Sequence, residues 1–400
     1  MKFFKNLYRS KKSKARLGEI KTSHGAIKTP AFVPVATKGT VKTMLPELLK
    51  NIKIQVAFVN TYHLVSHPGA DIIEKAGGIH NYSKLGIPLM SDSGGFQVFS
   101  LARDQRKADI RGEEQPIVVK ITDDGVKFRS TYDGKLIEFT PEKSMEYQKK
   151  IGADIVMAFD ECTYYPSPHD YAEKAMKRTH QWLKRCIKSH PERSEGSRRS
   201  RNASLDSSSA NWRTQNDKYQ QYLYGIIQGA TFEDLRKQSA EFVVSQNTPG
   251  VAIGGVSVGE SKKEMRQQVK WISDYLPADR PVHLLGVGQF DDALDLVKYG
   301  IDTFDCVEPT RLARMGTIYQ TPSSHPEADL DITKSIYKNN LESLDKNCSC
   351  YVCKNFTKSY LFHLFKQKEI LGYTLATYHN LFVMERFFDR IRESIAKDLI

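Results

Sequence analysis

An aspartate followed by two arginines is the part of this sequence that suggests chemistry most directly. Asp305 ends a short apolar segment, and Arg311 and Arg314 follow it in what we predict to be a basic loop. A carboxylate at the end of a strand can attack a carbon atom while guanidinium groups hold the phosphates of a substrate. Alone the pattern is weak, because an aspartate at a strand end more often caps a turn or a helix.

Four more polar groups follow apolar segments elsewhere in the chain, namely Asp92, Asp160, Gln228 and Gly255. If these segments are strands of one barrel, all of the groups lie at the same mouth, where barrel enzymes place their active sites. Two carboxylates can then divide the work at a glycosidic bond, because one attacks the anomeric carbon and the other manages protons. A second carboxylate nearby raises the pKa of a carboxyl group, which suits such a group for proton transfer.

The elements that must position these groups alternate between short apolar segments and helix-like segments. The predicted strands are 31–36, 56–60, 87–90, 154–159, 222–228, 250–254, 282–286 and 301–304. The predicted helices between them include 141–150, 171–189, 231–245, 262–275 and 290–299. This alternation favours an α/β protein with a (β/α)8 TIM barrel. A doubly wound open sheet is the alternative, since periodicity does not distinguish a closed sheet from an open one.

Three segments interrupt the alternation. Residues 15–29 predict an N-terminal hairpin, and residues from about 118 to 139 predict a hairpin inserted after the third strand, with turns at Asp123-Asp124-Gly125 and Tyr132-Asp133-Gly134. Residues from about 191 to 216 are rich in Ser, Asn and Arg, which predicts a disordered insertion.

Composition limits the partners and the compartment. The chain has 400 residues, a net charge of +12 and a pI of about 9.2. This basic balance favours a polyanionic partner, with nucleic acid first, although a solvated basic surface explains the charge equally well. No run of ~18 apolar residues predicts a membrane-spanning helix. The N-terminus lacks a secretion signal, so we expect a cytoplasmic protein.

Three of the six cysteines lie within six residues of one another, as Cys348, Cys350 and Cys353. In a reducing compartment such a cluster predicts a metal site rather than disulfides, and three thiolates suit tetrahedral zinc with a fourth ligand. His363 and His379 both follow the cluster. We expect a barrel domain over residues 1–330, and a zinc-binding subdomain with a C-terminal helix, packed on the barrel, over residues 331–400.

Several motifs occur in one order that resembles the tRNA-guanine transglycosylase family. They are Thr29-Pro30-Ala31-Phe32, Asn60-Thr61-Tyr62-His63-Leu64, Asp92-Ser93-Gly94-Gly95-Phe96-Gln97, Asp160-Glu161-Cys162, the run from Gly254 to Glu260, Asp305-Cys306 and the cysteine set. The resemblance extends from about residue 15 to residue 392.

The resemblance implies roles for individual residues. Asp305 is the nucleophile and Asp92 the general acid/base, whereas Arg311 and Arg314 contact RNA. The residues implied to bind the base or the ribose are Asp160, Gln228, Gly255, Phe96, Leu285, Cys162, Val258 and Asn60. Three positions have plainer structural alternatives. Phe96 would then belong to the core, Gln228 would cap a strand, and His63, in the same motif as Asn60, would lie in a polar network. The fourth zinc ligand is His379, which makes the zinc structural, with one ion per chain.

The same resemblance implies a reaction. The wobble guanine of GUN anticodons, in the tRNAs for Asp, Asn, His and Tyr, is exchanged for 7-aminomethyl-7-deazaguanine during queuosine biosynthesis. The exchange is a double displacement through a covalent aspartyl-ribose. Cys162 and Val258 are similar to bacterial members and suit this compact base, whereas eukaryotic relatives typically carry a β-branched residue and a glycine there. Family members are commonly homodimers.

Two positions depart from the family pattern, and two other interpretations compete with it. Phe290 stands where a proline is common, and Glu308 stands close to Asp305 where a small or apolar residue is common. A non-catalytic RNA-binding partner subunit of the same fold would be expected to lack the aspartates that this chain retains. A zinc-finger nucleic-acid binder leaves the sequence before Cys348 unexplained.

Overall fold

The structure is a computed structural model, and it describes residues 2–95, 117–130, 133–190, 220–321 and 329–400. It contains sixteen strands in the described residues. They are β1 (Phe4–Arg9), β2 (Arg16–Thr22), β3 (Gly25–Thr29), β4 (Ala31–Pro34), β5 (Ala57–Val59), β6 (Leu89–Ser91), β7 (Ile117–Ile121), β8 (Val126–Arg129), β9 (Leu136–Phe139), β10 (Ile155–Met157), β11 (Tyr222–Ile227), β12 (Gly250–Ile253), β13 (Val282–Leu284), β14 (Thr303–Cys306), β15 (Thr317–Ile318) and β16 (Leu330–Asp331).

The helices follow most of the central strands. They are α1 (Pro46–Asn51), α2 (Thr61–Ser66), α3 (Ala70–Lys75), α4 (Ile79–Ser83), α5 (Pro141–Ile151), α6 (His169–Ser189), α7 (Glu233–Ser245), α8 (Lys262–Ile272), α9 (Phe290–Leu296), α10 (Glu308–Met315), α11 (Tyr351–Asn355), α12 (Lys358–Lys366) and α13 (Ile370–Ala396). Short 3-10 helices cover Val297–Tyr299 and Ser335–Tyr337.

Eight strands form the main sheet in the order β4-β14-β13-β12-β11-β10-β6-β5. Each strand lies beside the next one in this set along the chain, and a parallel bridge between Val35 and Phe58 links the segments of the first and last strands. A doubly wound sheet would instead reverse its strand order at a switch point. The predicted (β/α)8 class is therefore confirmed, and the open-sheet alternative is wrong.

The chain separates into two compact units, each of which has its own buried strands. Unit 1 comprises residues 1–21, 25–58 and 281–400, and unit 2 comprises residues 22–24 and 59–280. This division does not test the predicted boundary near residue 330, which stays a prediction.

In unit 1, β14 lies between β13 and β4, with all three strands parallel. Asp302, just before β14, accepts two hydrogen bonds from the buried Arg16 and one from the Val282 backbone. The C-terminal helix α13 packs Phe388 against Phe32 and Phe304, at ring-centroid distances of 6.1 and 5.7 Å. These contacts hold the strand that carries Asp305.

In unit 2, the strands β6, β10, β11 and β12 run parallel to one another. All the described residues of these strands are buried except Tyr222, which is half-buried. Helices α6, α7 and α8 lie between or after them in sequence, and Trp182 of α6 contacts Phe159 at a ring-centroid distance of 4.7 Å. The apolar strand segments thus form a core whose polar groups follow the strand ends.

The predicted hairpins are present but each belongs to a three-stranded antiparallel sheet. In the N-terminal sheet, β1 pairs with the predicted hairpin β2-β3 as a third strand. The sequence pattern of β1 did not predict this strand. The inserted sheet is β7-β8-β9, and residues 131–132 of its second turn lie outside the described residues. The predicted disordered insertion at about 191–216 also lies outside them. No described helix is long and apolar enough to cross a membrane.

Candidate active site and metal centre

Asp305 lies within β14 rather than after its end, because the strand runs to Cys306 and not to residue 304 as predicted. The side chain is buried, and its Oδ1 accepts a hydrogen bond from the Gly286 backbone at 2.9 Å. His283 Nε2 lies 3.1 Å from the same oxygen, while its Nδ1 lies 2.9 Å from Thr303 Oγ1. Among the described residues these contacts all involve Oδ1, and none of them involves Oδ2.

The segment with Arg311 and Arg314 is a helix, so the predicted basic loop is wrong. Helix α10 starts at Glu308, has Pro309 in its first turn and ends at Met315, followed by the capping residue Gly316, whose φ is 98°. These are ordinary helix start and stop signals. At a spacing of three residues the arginines lie on one side of the helix; Arg311 is exposed and Arg314 half-buried.

The two departures from the family pattern have structural partners. Glu308 lies in the first turn of α10, where a negative charge favours the helix, and it accepts a hydrogen bond from Gln289 Nε2. Phe290 makes edge-on contacts with Tyr319 and Phe387 at ring-centroid distances of 5.0 and 4.9 Å.

Asp92 directly follows β6 and is held by the start of α2. The Thr61 backbone donates to Oδ1 at 2.6 Å, the Gly94 backbone donates to Oδ1 at 3.3 Å, and Asn60 Nδ2 donates to Oδ2. Asn60 also caps α2 through the His63 backbone, so one residue joins helix and carboxylate. Burial raises the pKa of Asp92 to about 7 against these donors, and the Asp160 carboxylate adds to the rise.

This raised pKa predicts a pH-dependent stability. Between the ordinary carboxyl pKa and about 7 the folded protein retains a proton on Asp92 that the unfolded chain releases. Stability contributed by this proton therefore falls as pH rises from about 4 to about 7. We expect the Asp92→Asn variant to gain stability relative to wild type as pH rises through this window. Urea unfolding of both proteins at several pH values measures the difference.

Asp71→Asn is the matched control, because Lys150 lowers the pKa of Asp71 and the sign reverses. That variant is expected to lose a little stability relative to wild type as pH rises towards about 4, where the unfolded chain releases the proton, and to differ from wild type by a constant amount above about pH 5. A stability difference between Asp92→Asn and wild type that is constant with pH would contradict the assignment.

Asp160 and Gln228 form a buried polar pair after β10 and β11. Gln228 Nε2 donates to Asp160 Oδ2 at 2.7 Å, and Ser93 Oγ donates to Oδ1 at 3.0 Å. Burial raises the pKa of Asp160 to about 6 despite both donors. Gln228 Oε1 is buried and has no hydrogen-bond partner among the described residues. A buried acceptor without a partner indicates a place for a donor group of a ligand.

Arg236, which the sequence did not single out, lies behind the Gly254-Gly255 turn. This side chain of α7 is fully buried and donates to the carbonyls of Ala230, Gly254 and Gly255 and to Gln268 Oε1. Gly255 has a φ of 60°, and a Cβ there would lie 2.2 Å from Gln228 Oε1. The glycine is therefore required both for the turn and for the approach of the glutamine.

The remaining predicted pocket residues have different exposures. Cys162 is buried, and burial raises the pKa of its thiol to about 12, so it is a neutral group at physiological pH. Val258 and Leu285 are half-buried at strand-end loops of units 2 and 1 respectively. Phe96 lies outside the described residues.

The cysteine cluster and His379 converge as predicted. The sulfurs of Cys348, Cys350 and Cys353 lie 3.8, 3.5 and 3.3 Å from His379 Nδ1. His379 Nε2 lies 2.8 Å from the Tyr319 carbonyl, which fixes the ring so that Nδ1 is free to bind a metal. His363, the other histidine, is exposed and does not belong to the cluster. These residues can hold a metal ion.

A second group of possible ligands, His24, His80 and Asp154, fits an ion less well. Both imidazoles contact the Asp154 carboxylate, at 2.8 and 3.2 Å. Their rings are stacked 3.4 Å apart with an interplanar angle of 10°. An ion in the plane of one ring would thus lie well out of the plane of the other. We interpret the group as a polar cluster that holds Asp154, which also accepts the Leu89 N–H at 2.9 Å.

Comparison with known proteins agrees with this arrangement. A family model described as Queuine tRNA-ribosyltransferase matches residues 11–400. A protein of Halothermothrix orenii with that name is 42% identical over 397 residues, covering 99% of this chain and 94% of that protein. Proteins of the same name from Caldanaerobacter subterraneus subsp. tengcongensis and Bacillus pumilus are 43% and 41% identical, covering 97% of this chain and 92% and 90% of their own lengths.

These matches confirm the family resemblance that the motifs predicted. The chain belongs to the queuine tRNA-ribosyltransferase family, a family of pentosyltransferases.

Proposed function

We propose that this protein exchanges the wobble guanine of GUN anticodons for 7-aminomethyl-7-deazaguanine, in the tRNAs for Asp, Asn, His and Tyr. The observation that supports this best is the buried pair of Asp160 and Gln228, because its free acceptor suits the edge of a guanine-type base. In this role the protein contributes to queuosine biosynthesis in the cytoplasm.

The reaction divides between two carboxylates. Asp305 attacks C1′ of the ribose through Oδ2; the bond from C1′ to N9 of guanine breaks, and its electron pair stays on the base. Asp92 supplies the proton that neutralises the departing guanine. The incoming base then gives its N9 proton to Asp92, N9 attacks C1′, and the ester bond to Asp305 breaks to restore the carboxylate. A pKa of about 7 suits Asp92 for both steps.

Base recognition uses the groups that follow β10, β11 and β12. Asp160 has lone pairs beyond those taken by Gln228 and Ser93, and it accepts from the base N1–H and amine. Gln228 Oε1 accepts a further N–H, and the Gly255 backbone approaches the ring closely because no side chain intervenes. Asn60 supports the ribose end through Asp92. Leu285 contacts one face of the base, and the stacking role of Phe96 stays a prediction because that residue lies outside the described residues.

Recognition of tRNA uses charge on α10. This helix starts two residues after the β14 end, so Arg311 and Arg314 lie near the nucleophile along the chain, and guanidinium groups hold phosphates in bidentate fashion. The net charge of +12 adds a general attraction to RNA.

The Cys348, Cys350, Cys353 and His379 set binds one structural zinc ion per chain. Four protein ligands fill a tetrahedral shell and leave no position for a substrate. We further propose a zinc-binding subdomain over residues 331–400, following a barrel domain over residues 1–330, and a homodimer. Exposed apolar side chains in that region support an interface: Ile336 is 71%, Leu341 77% and Ile370 72% exposed.

Incorporation of radiolabelled guanine into tRNAs with GUN anticodons tests the activity. We expect label in these tRNAs and none in a tRNA whose wobble base is not guanine. Tight binding of tRNA without incorporation would instead favour the non-catalytic partner subunit.

Base choice gives a sharper expectation. Because Cys162 and Val258 restrict the pocket, we expect 7-aminomethyl-7-deazaguanine to be inserted about 100-fold more efficiently than the bulky queuine. Mass spectrometry of digested tRNA measures both products. Val258→Gly should raise queuine insertion while leaving insertion of the smaller base nearly unchanged. Equal incorporation of the two bases by the wild type would contradict this assignment.

A further inference from the structure

One buried carboxamide, that of Asn380, connects both ends of helix α10 to the C-terminal helix α13. Its Nδ2 donates hydrogen bonds to the Pro309 carbonyl at 3.2 Å and to the Thr317 carbonyl at 3.0 Å. Pro309 lies in the first turn of α10, and Thr317 follows the residue that caps the end of this helix. The Oδ1 atom of the same carboxamide accepts the Tyr319 N–H at 3.0 Å. Asn380 is fully buried, so water does not compete for these contacts.

These contacts allow only one orientation of the amide. An asparagine side chain has two donor hydrogens on its nitrogen and two acceptor lone pairs on its oxygen, and here both hydrogens are used on backbone carbonyls. Turning the amide by 180° would place its oxygen against those carbonyls and its donors against the Tyr319 N–H. The preceding residue, His379, contacts the Tyr319 carbonyl at 2.8 Å, so both backbone polar groups of Tyr319 are bound to α13.

Helix α10 depends on such contacts for its position. It has eight residues (Glu308–Met315), and helices this short are marginal without tertiary contacts. Its buried side chains are those of Pro309, Thr310 and Ala313, none of which is a large apolar group. Apolar packing therefore determines the position of the helix along α13 only weakly. Hydrogen bonds to the backbone at both ends are directional, so they determine this position more sharply.

The position of α10 decides where its two arginines lie relative to the nucleophile. Arg314 Nη1 donates to the Thr310 carbonyl at 2.7 Å, so its guanidinium lies back towards the start of the helix. Arg311 is exposed and lies three residues before Arg314. The helix starts three residues after Asp305, and it therefore carries both guanidinium groups next to the strand of the nucleophile.

We propose that Asn380 is a positioning residue for tRNA binding, which holds both ends of α10 and thereby keeps Arg311 and Arg314 beside Asp305. This inference rests on the proposed contact of the two arginines with tRNA, and it assigns the group that fixes their common helix. Asn380 itself does not touch the RNA or the reacting atoms, because its side chain is fully buried.

Binding of a tRNA with a GUN anticodon to the full-length protein tests the inference without requiring turnover. Asn380→Asp keeps the acceptor for the Tyr319 N–H but loses both donors, and Asn380→Ser is a neutral variant that excludes repulsion of RNA by a new charge. We expect the dissociation constant of tRNA to rise roughly tenfold in both variants. Its dependence on salt should become shallower, because phosphate contacts are lost. In the exchange assay, KM for tRNA should rise similarly while kcat changes less than about threefold.

Combination with changes at the arginines separates positioning from a general loss of stability. In a protein that also carries Arg311→Gln and Arg314→Gln, Asn380→Asp should change the dissociation constant of tRNA less than about twofold, because the groups that it positions are gone. Thr377→Val is the matched control. Thr377 is also fully buried in α13, but its Oγ1 lies 3.1 Å from Thr43 Oγ1, outside α10. This variant should lower the unfolding midpoint and leave tRNA binding unchanged.

Three results would overturn the proposal. They are unchanged tRNA binding in the folded Asn380 variants, effects that multiply in the combined variant, and a zinc content of Asn380→Ser below that of the wild type, which would assign the weaker binding to the metal centre. Failure of the proposed function is distinguishable, because the wild type would then incorporate no guanine into tRNA, or replacement of the two arginines alone would leave tRNA binding unchanged.

Discussion

Asp305→Asn is expected to abolish the denaturation-resistant adduct between protein and tRNA and to lower the rate of guanine exchange by roughly 10⁴-fold or more. An amide cannot form the ester to C1′, although it retains the shape of the carboxylate. The Oδ1 atom of the asparagine can keep its contacts with the Gly286 backbone and His283, so tRNA binding should change little. Gel electrophoresis of the trapped adduct and a separate filter-binding assay measure the two quantities.

Asp302→Asn is the control from the same chain segment. Asp302 is also buried, but its carboxylate serves Arg16 and the Val282 backbone and not the mouth of the barrel. Leaving the Arg16 charge unpaired should lower the free energy of unfolding by about 3–5 kcal/mol, while the folded fraction still forms the adduct. An adduct that persists in Asp305→Asn would transfer the role of nucleophile to another residue.

Cys350→Ser is expected to reduce zinc affinity by at least ~100-fold and to lower the unfolding midpoint. Structural zinc contributes about 10–16 kcal/mol of binding energy in isolated zinc-finger peptides, and that energy is coupled to folding. The loss of one of four ligands therefore removes both metal and stability. Elemental analysis of purified protein and thermal unfolding with and without a chelator measure these effects.

Cys186→Ser serves as the control, because Cys186 is buried in unit 2, where its sulfur accepts a hydrogen bond from the Phe159 backbone and donates one to the Pro141 carbonyl. It should retain one zinc per chain. His379→Ala should lose the metal and His363→Ala should not, since His363 is exposed. Fully active wild-type protein without zinc would refute the metal assignment, and loss of zinc only in His363→Ala would reassign the fourth ligand.

The sequence predicted the barrel and most of its elements because the signals were local. The strands of units 1 and 2 are short apolar runs that end in polar or glycine-rich loops, and helix α5 was predicted within one residue of its observed end. The cysteine cluster was equally plain, since three ligands lie within six residues, whereas the choice of His379 as the fourth ligand came from the family resemblance.

Other features depend on contacts that no local pattern records. Arg236 looks like a solvent-facing helix residue, and only the Gly254-Gly255 turn, many residues later, makes it a buried donor. His283 is a polar residue in an apolar strand, a signal that could have been noticed, but its contact with Asp305 depends on the pairing of β13 with β14. The error at α10 was avoidable, because Pro309 and Gly316 mark the ends of a helix.

The two units differ in when their residues become available during synthesis. Unit 2 is nearly one continuous stretch, residues 59–280, whereas β4 of unit 1 pairs with β14 across the whole of that stretch. At roughly 5–20 residues per second, β4 therefore waits on the order of 15–50 s for its partner to leave the ribosome. All four residues of β4 are buried in the finished protein, so during that interval an apolar strand edge is exposed. An exposed apolar strand edge is the kind of surface that makes a chain prone to aggregation and in need of chaperones. The strand that carries Asp305 is the last of the eight main-sheet strands to be synthesised.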